Sequence, residues 1–177
     1  MNRLVVDAAP LAGPCHASLP PAIRGHERCA QLRAKRTLIA CAELPGSKLI
    51  AGTAREFAGR VLCAWGCSVL LDRVVRVVSE LATNALLHGG VRAMTVARIY
   101  RDGDAVWFEI DDRSAAEPQM RLPGDGIEEK ADGWGLFLVD ALTEQFGWRE
   151  ADSGKTVFAR WSLSAEAAVT GTEAAGS

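Results

Sequence analysis

Residues 92–112, RAMTVARIYRDGDAVWFEIDD, hold two runs rich in β-branched and aromatic residues on either side of Asp102-Gly103. An Asp-Gly pair accepts the positive φ angles of a two-residue hairpin turn, so the runs are expected to pair antiparallel. A hairpin of this kind must bury one face, and the rest of the chain supplies the cover. RTLIACAEL at 36–44 reads as a further strand, stopped by Pro45-Gly46. Ser47 stands where a cap belongs, ahead of a helix reaching about Trp65. Leu49, Ile50, Ala54, Phe57, Ala58 and Val61 form its apolar side, and Gly66 ends it. A second helix is expected over 68–88 with Gly89-Gly90 as its stop, and a third in GWGLFLVDALTEQF at 133–146. GWRE at 147–150 and KTVFARWSL at 155–163 read as a last hairpin. The expected fold class is an α/β (α+β) two-layer sandwich: a mixed, largely antiparallel sheet with three helices on one face.

Residues 1–35 combine Pro10, Pro14, Pro20 and Pro21 with an excess of basic side chains and no sustained period, and are expected to be a mobile basic arm. The domain proper is expected over 36–163, with 164–177 a disordered tail. Between Arg113 and Asp132 the periodicity breaks up, a loop length that is usually functional or mobile. Lys plus Arg number 20 against 22 for Asp plus Glu, which leaves no basic footprint for a nucleic-acid partner. No apolar run reaches the roughly 18 residues of a membrane span, so a cytoplasmic protein is expected. The cysteines, odd in number at 5, are expected to be reduced thiols.

SELATNALLH, residues 79–88, places Glu80, Asn84 and His88 one helical turn apart on the border of a stripe made by Val74, Val78, Leu81 and Ala85. By themselves these residues read either as a solvated helix edge, with Glu80 paired to Arg73 or Arg76, or as one wall of a ligand site. Asp111 and Asp112 end a strand that leads straight into the long loop, where a carboxylate can face a cavity. Gly133 and Gly135 precede a helix and allow close backbone approach. SGKT at 153–156 is not a phosphate-binding P-loop, because Arg149 stands where that motif needs glycine and TVFARW continues as a strand.

ELATNALLH, DDRS, GWGLFLV and GKTVFARW, in this order and at these separations, resemble the nucleotide-binding domain of the GHKL superfamily of ATPases and kinases. The similarity is strongest to the small single-domain relatives of bacterial anti-sigma-factor serine/threonine kinases, and it spans about residues 36–163. The resemblance implies that Asn84 coordinates Mg2+ on the phosphates of ATP and that Glu80 is the general base. It implies that Asp112 accepts the adenine amino hydrogen, with Thr156 supporting that contact. Gly133 and Gly135 match the lid glycines, with Trp134 between them, Leu136 starts the helix behind them, and His88 is placed near the phosphates. The superfamily's Asp-x-Gly-x-Gly is here Asp112-Arg113-Ser114-Ala115-Ala116, without either glycine. The function implied is transfer of the γ-phosphoryl of Mg-ATP to a small antagonist protein, with a sigma factor as second partner and relatives that are often homodimers. The alternative is a regulatory module that binds nucleotide, or only a partner, without transfer.

Overall fold

The computed structural model of the chain describes residues 5–7, 38–89, 95–114, 116, 135–152 and 154–164. In chain order the elements are β1 (Val5–Asp7), β2 (Leu38–Leu44), α1 (Ile50–Ala64), a 3-10 turn (Ser68–Leu70), α2 (Leu71–Gly89), β3 (Thr95–Asp102), β4 (Ala105–Asp112), α3 (Gly135–Ala141), β5 (Gln145–Ala151) and β6 (Gly154–Ser162).

The Asp102-Gly103 turn forms as its chemistry requires. Gly103 has φ +59°, and Asp102 faces Ala105 across the closed hairpin of β3 and β4. The sheet order is β1-β2-β3-β4-β6-β5, and every pairing among the described strands is antiparallel. The parallel pair that a mixed sheet would contain is therefore not present among them. Three residues from the span expected as an arm, Val5–Asp7, run antiparallel to Cys41–Ile39 at the edge.

The alternation of side chains along each strand divides the sheet into two faces. Ala40, Ala42 and Leu44, Ala97 and Ile99, Val106, Phe108 and Ile110, and Val157, Ala159 and Trp161 all point to the face that α1, α2 and α3 cover. α1 contributes Ile50, Ala54, Phe57, Ala58, Val61 and Leu62 to this core. α2 contributes Val74, Val77, Val78, Leu81, Ala82 and Ala85. Burial of a Val or Leu side chain is worth about 1.5–3 kcal/mol, so these two stripes are what hold the helices to the sheet. Ile39, Cys41 and Tyr100, with Trp107 beside them, form a separate cluster on the opposite face. Cys41 is disulfide-bonded, which corrects the expectation of a reduced thiol there, whereas Cys63 and Cys67 are free.

Gly66 ends α1 at φ +66°. The Gly66 amide donates to the Cys63 carbonyl and the Cys67 amide to that of Leu62, the paired closure of a helix whose next residue takes a left-handed conformation. The start of α1 differs from expectation. Ser47 Oγ accepts only a long 3.4 Å bond from the Leu49 amide, and Leu49, expected on the apolar side, is 72% exposed. The third helix, expected through Phe146, stops at Ala141, and Gln145 and Phe146 open β5 instead. Tertiary bonds decide this: the Trp161 indole donates to the Leu142 carbonyl at 2.8 Å and the Glu144 amide to the Arg160 carbonyl at 3.0 Å. Each draws the chain into pairing with β6 before another helical turn can form.

Candidate functional site

Glu80 and Asn84 sit half-buried on consecutive turns of α2, beside the buried stripe of Leu81 and Ala85. No ion pair or side-chain hydrogen bond engages either of them among the described residues, so the pairing of Glu80 with Arg73 or Arg76 does not form there. A half-buried carboxylate and amide without partners are poorly explained as stabilising groups, because each gives up some hydration for no bond in return.

α3 begins directly against them. A Cβ added at Gly135 would lie 2.6 Å from Glu80 Oε2 and 3.9 Å from Asn84 Nδ2, so any larger residue there would push the Glu80 carboxylate aside. Leu136 packs on the core, which anchors the start of α3. Gly133 and Trp134 lie outside the described residues, as does most of the loop over 113–132 and the tail beyond Ser164.

His88 is exposed in the last turn of α2. Gly89, its neighbour, meets the end of β4, where a Cβ would come within 3.2 Å of Asp112 Oδ1 and 3.3 Å of the Arg113 amide nitrogen. The helix therefore spans the interval between the Glu80–Asn84 pair and Asp112. At 1.5 Å rise per residue, Gly89 lies about 8 Å along the helix from Asn84 and about 13 Å from Glu80.

Asp112 points to the helix-covered side of the sheet, in line with Val106, Phe108 and Ile110. Its Oδ1 accepts from the Ser114 amide at 2.8 Å, and its Oδ2 lies 2.8 Å from Lys155 Nζ. Lys155 also donates to the Ser114 carbonyl at 3.0 Å, and Asp112 and Lys155 are each only 4% exposed. Such a pair is tolerable only because each charge is matched and hydrogen-bonded.

Thr156, expected beside Asp112, is on the other face of the sheet. Its hydroxyl donates to Asp111 Oδ1 at 3.0 Å, and Asp111 is further held by Arg98 through two bonds of 2.8 and 2.6 Å. The register pairs Asp112 with Lys155 and Asp111 with Thr156, so the β6 residue that shares the side of Asp112 is Lys155. Reading the sequence overlooked Lys155. The signal available was the alternation of β6, in which Lys155 falls in step with Val157, Ala159 and Trp161.

The geometry thus brings Glu80, Asn84 and Gly135 together beside the middle of α2, and Gly89, Asp112 and Lys155 at its C-terminal end. Oxygen donors of carboxylate and amide type suit a hard cation and its phosphates, and a buried carboxylate suits an amino hydrogen donor. Gly154 to Thr156 lie in β6 rather than at the start of a helix, as the rejection of a P-loop requires. No helix among the described residues is long and apolar enough to cross a membrane. No curated protein matches the chain. The sequence model of the histidine kinase-like ATPase domain does match, over residues 48–161, well over half of the chain, and begins just before α1. With that match laid over helices and strands that carry the expected carboxylate and amide, the chain belongs to the histidine kinase-like ATPase domain family.

Proposed function

We propose that this chain is an ATP-binding regulatory protein that acts as a serine/threonine kinase of the anti-sigma-factor type, with a small antagonist protein as phosphoryl acceptor and a sigma factor as second partner. The observation that supports it most is the meeting of Glu80, Asn84 and Gly135, where a carboxylate and an amide with no partner among the described residues face the glycine backbone at the start of α3.

The residues fit the group the reading requires. Asn84 offers an amide oxygen to Mg2+, and Gly135, preceded in the chain by Gly133 and Trp134, lets the start of α3 lie against Glu80, where a Cβ would press on the carboxylate. His88 stands one turn further along the same helix. When bound, Mg-ATP supplies the transferable phosphoryl group and a metal charge that offsets charge on its oxygens. Glu80 takes the proton of the acceptor hydroxyl and holds it on its carboxylate, a role supported by its half-buried position one turn from Asn84. Asp112, fixed by Lys155 and the Ser114 amide, keeps lone pairs for the exocyclic amine of the base. Thr156 takes no part at the base, because it bonds Asp111 on the other face.

A second reading, nucleotide or partner binding without transfer, draws support from Arg113-Ser114-Ala115-Ala116, where both glycines of the superfamily motif are replaced. The two are separated by thermal-shift titration with Mg-ATP and by transfer of labelled γ-phosphoryl to antagonist proteins. A ligand at 100 times its Kd adds about 2.7 kcal/mol to folding stability, a readily measured rise in midpoint. Under the kinase reading Glu80→Ala keeps this rise and loses transfer, while Asp112→Asn loses the rise. Wild-type protein that binds Mg-ATP yet labels no antagonist protein supports the second reading, and absence of any rise with Mg-ATP overturns the kinase reading and leaves only partner binding of the second.

A further inference from the structure

We propose that Lys155 reads the base: its ammonium donates to the ring nitrogen next to the exocyclic amine that Asp112 accepts. The inference rests on the proposed function for the presence of a purine at Asp112, and goes beyond it in assigning a second recognition group.

Three observations carry it. Lys155 is the direct cross-strand partner of Asp112 on the helix-covered side, and the two charges are 2.8 Å apart. The ammonium has three protons, of which the described residues engage two, one with Asp112 Oδ2 and one with the Ser114 carbonyl. The third is left to donate, while the Asp112 carboxylate still has lone pairs to accept, so the protein presents a donor and an acceptor side by side. Adenine presents the complement on its Watson–Crick edge, an acceptor at N1 beside a donor at N6.

The backbone is arranged to hold this pair in place. Gly154 has φ +112°, and a Cβ there would fall 2.2 Å from the Asp112 carbonyl oxygen and 2.7 Å from Arg113 backbone atoms. The end of β4 and the start of β6 are thus closer than any side chain permits, which lets Lys155 reach both Asp112 and Ser114. A buried ion pair seldom repays its desolvation in stability, so its presence at this strand end is better explained by recognition.

The test compares ATP with 1-deaza-ATP, which keeps the amine but replaces N1 with a carbon, by titration calorimetry on the full chain and on Lys155→Met. One hydrogen bond from a charged donor corresponds to a factor of roughly ten to a hundred in Kd. Wild type is expected to bind 1-deaza-ATP weaker by that factor. Lys155→Met is expected to bind ATP weaker by a similar factor and to lose nothing further with 1-deaza-ATP, the non-additivity of two changes that remove one contact. Equal wild-type affinities for the two nucleotides overturn the inference without any variant, so its test does not depend on Lys155→Met folding. Additive losses in the variant also overturn it and leave Lys155 with a structural role. Both of these results leave ATP binding intact, and so are distinct from wild type binding neither nucleotide, which overturns the proposed function as well.

Discussion

Replacing Gly135 with alanine separates the stability of the fold from the chemistry assigned to Glu80. The new Cβ would sit 2.6 Å from Glu80 Oε2, whereas ordinary van der Waals contact begins near 3.4 Å, so the carboxylate must retreat by 0.8 Å or more. The atom that yields is the far end of a flexible side chain with no bond holding it among the described residues, so the retreat is cheap. Moving a side chain away from its preferred rotamer costs about 0.5–1.5 kcal/mol. Alanine returns roughly 0.4–1 kcal/mol by restricting the unfolded chain, so the net change in stability is expected within about 1 kcal/mol of zero. The effect on transfer is far larger, because misplacing a catalytic group by about 1 Å costs on the order of a hundredfold. Thermal unfolding gives the first quantity, and single-turnover phosphoryl transfer at saturating Mg-ATP gives the second. The double variant with Glu80→Gln is expected to be no slower than Glu80→Gln alone, since both changes remove the same contribution. A Gly135→Ala protein with wild-type transfer rate would refute the placement of Glu80 at the reacting centre. A loss of several kcal/mol in stability would refute the claim that this carboxylate is free to move.

Gly154→Ala is expected to behave in the opposite way, because its obstructing atoms are the backbone of Asp112 and Arg113 and its φ of +112° is strained for any L side chain. A loss of about 3 kcal/mol in chemical denaturation is expected, and a change below about 0.5 kcal/mol would refute the close approach of β4 and β6. The hydroxyl of Ser162, followed by that of Ser164, donates to Asp104 and holds its carboxyl below the usual range. A carboxyl lowered in this way favours the folded state above its ordinary titration range and loses that contribution as pH falls toward the lowered value. Asp104→Asn should therefore narrow the fall in thermal midpoint between neutral and acid pH, and an unchanged acid limb would show that these bonds do not contribute.

How far the site could be read from sequence follows from how local each feature is. The spacing of Glu80 and Asn84 is a property of one helix, and 3.6 residues per turn places both on one side wherever that helix packs. The Asp102-Gly103 turn and the stop at Gly66 are likewise settled by the backbone freedom of one or two residues. What could not be read was the neighbour of Asp112. Thr156 and Lys155 are adjacent in sequence yet lie on opposite faces of β6, and which of them meets Asp112 depends on the register between β4 and β6. A shift of one residue would exchange them, and that register is set by the packing of Val157, Ala159 and Trp161 under the helices. The end of α3 was beyond reach for the same reason, since the Leu142 carbonyl is claimed by the indole of Trp161 from another strand.

Taken alone, the sequence determined the antiparallel hairpin, the amphipathic helices and the line of polar groups along α2, because each depends on residues within a turn or two of one another. Only the tertiary structure decided that Gly135 meets Glu80, that Lys155 rather than Thr156 meets Asp112, and that α3 ends where β5 begins. These contacts join elements far apart in the chain, and their geometry is fixed by strand register and core packing, which no local pattern encodes.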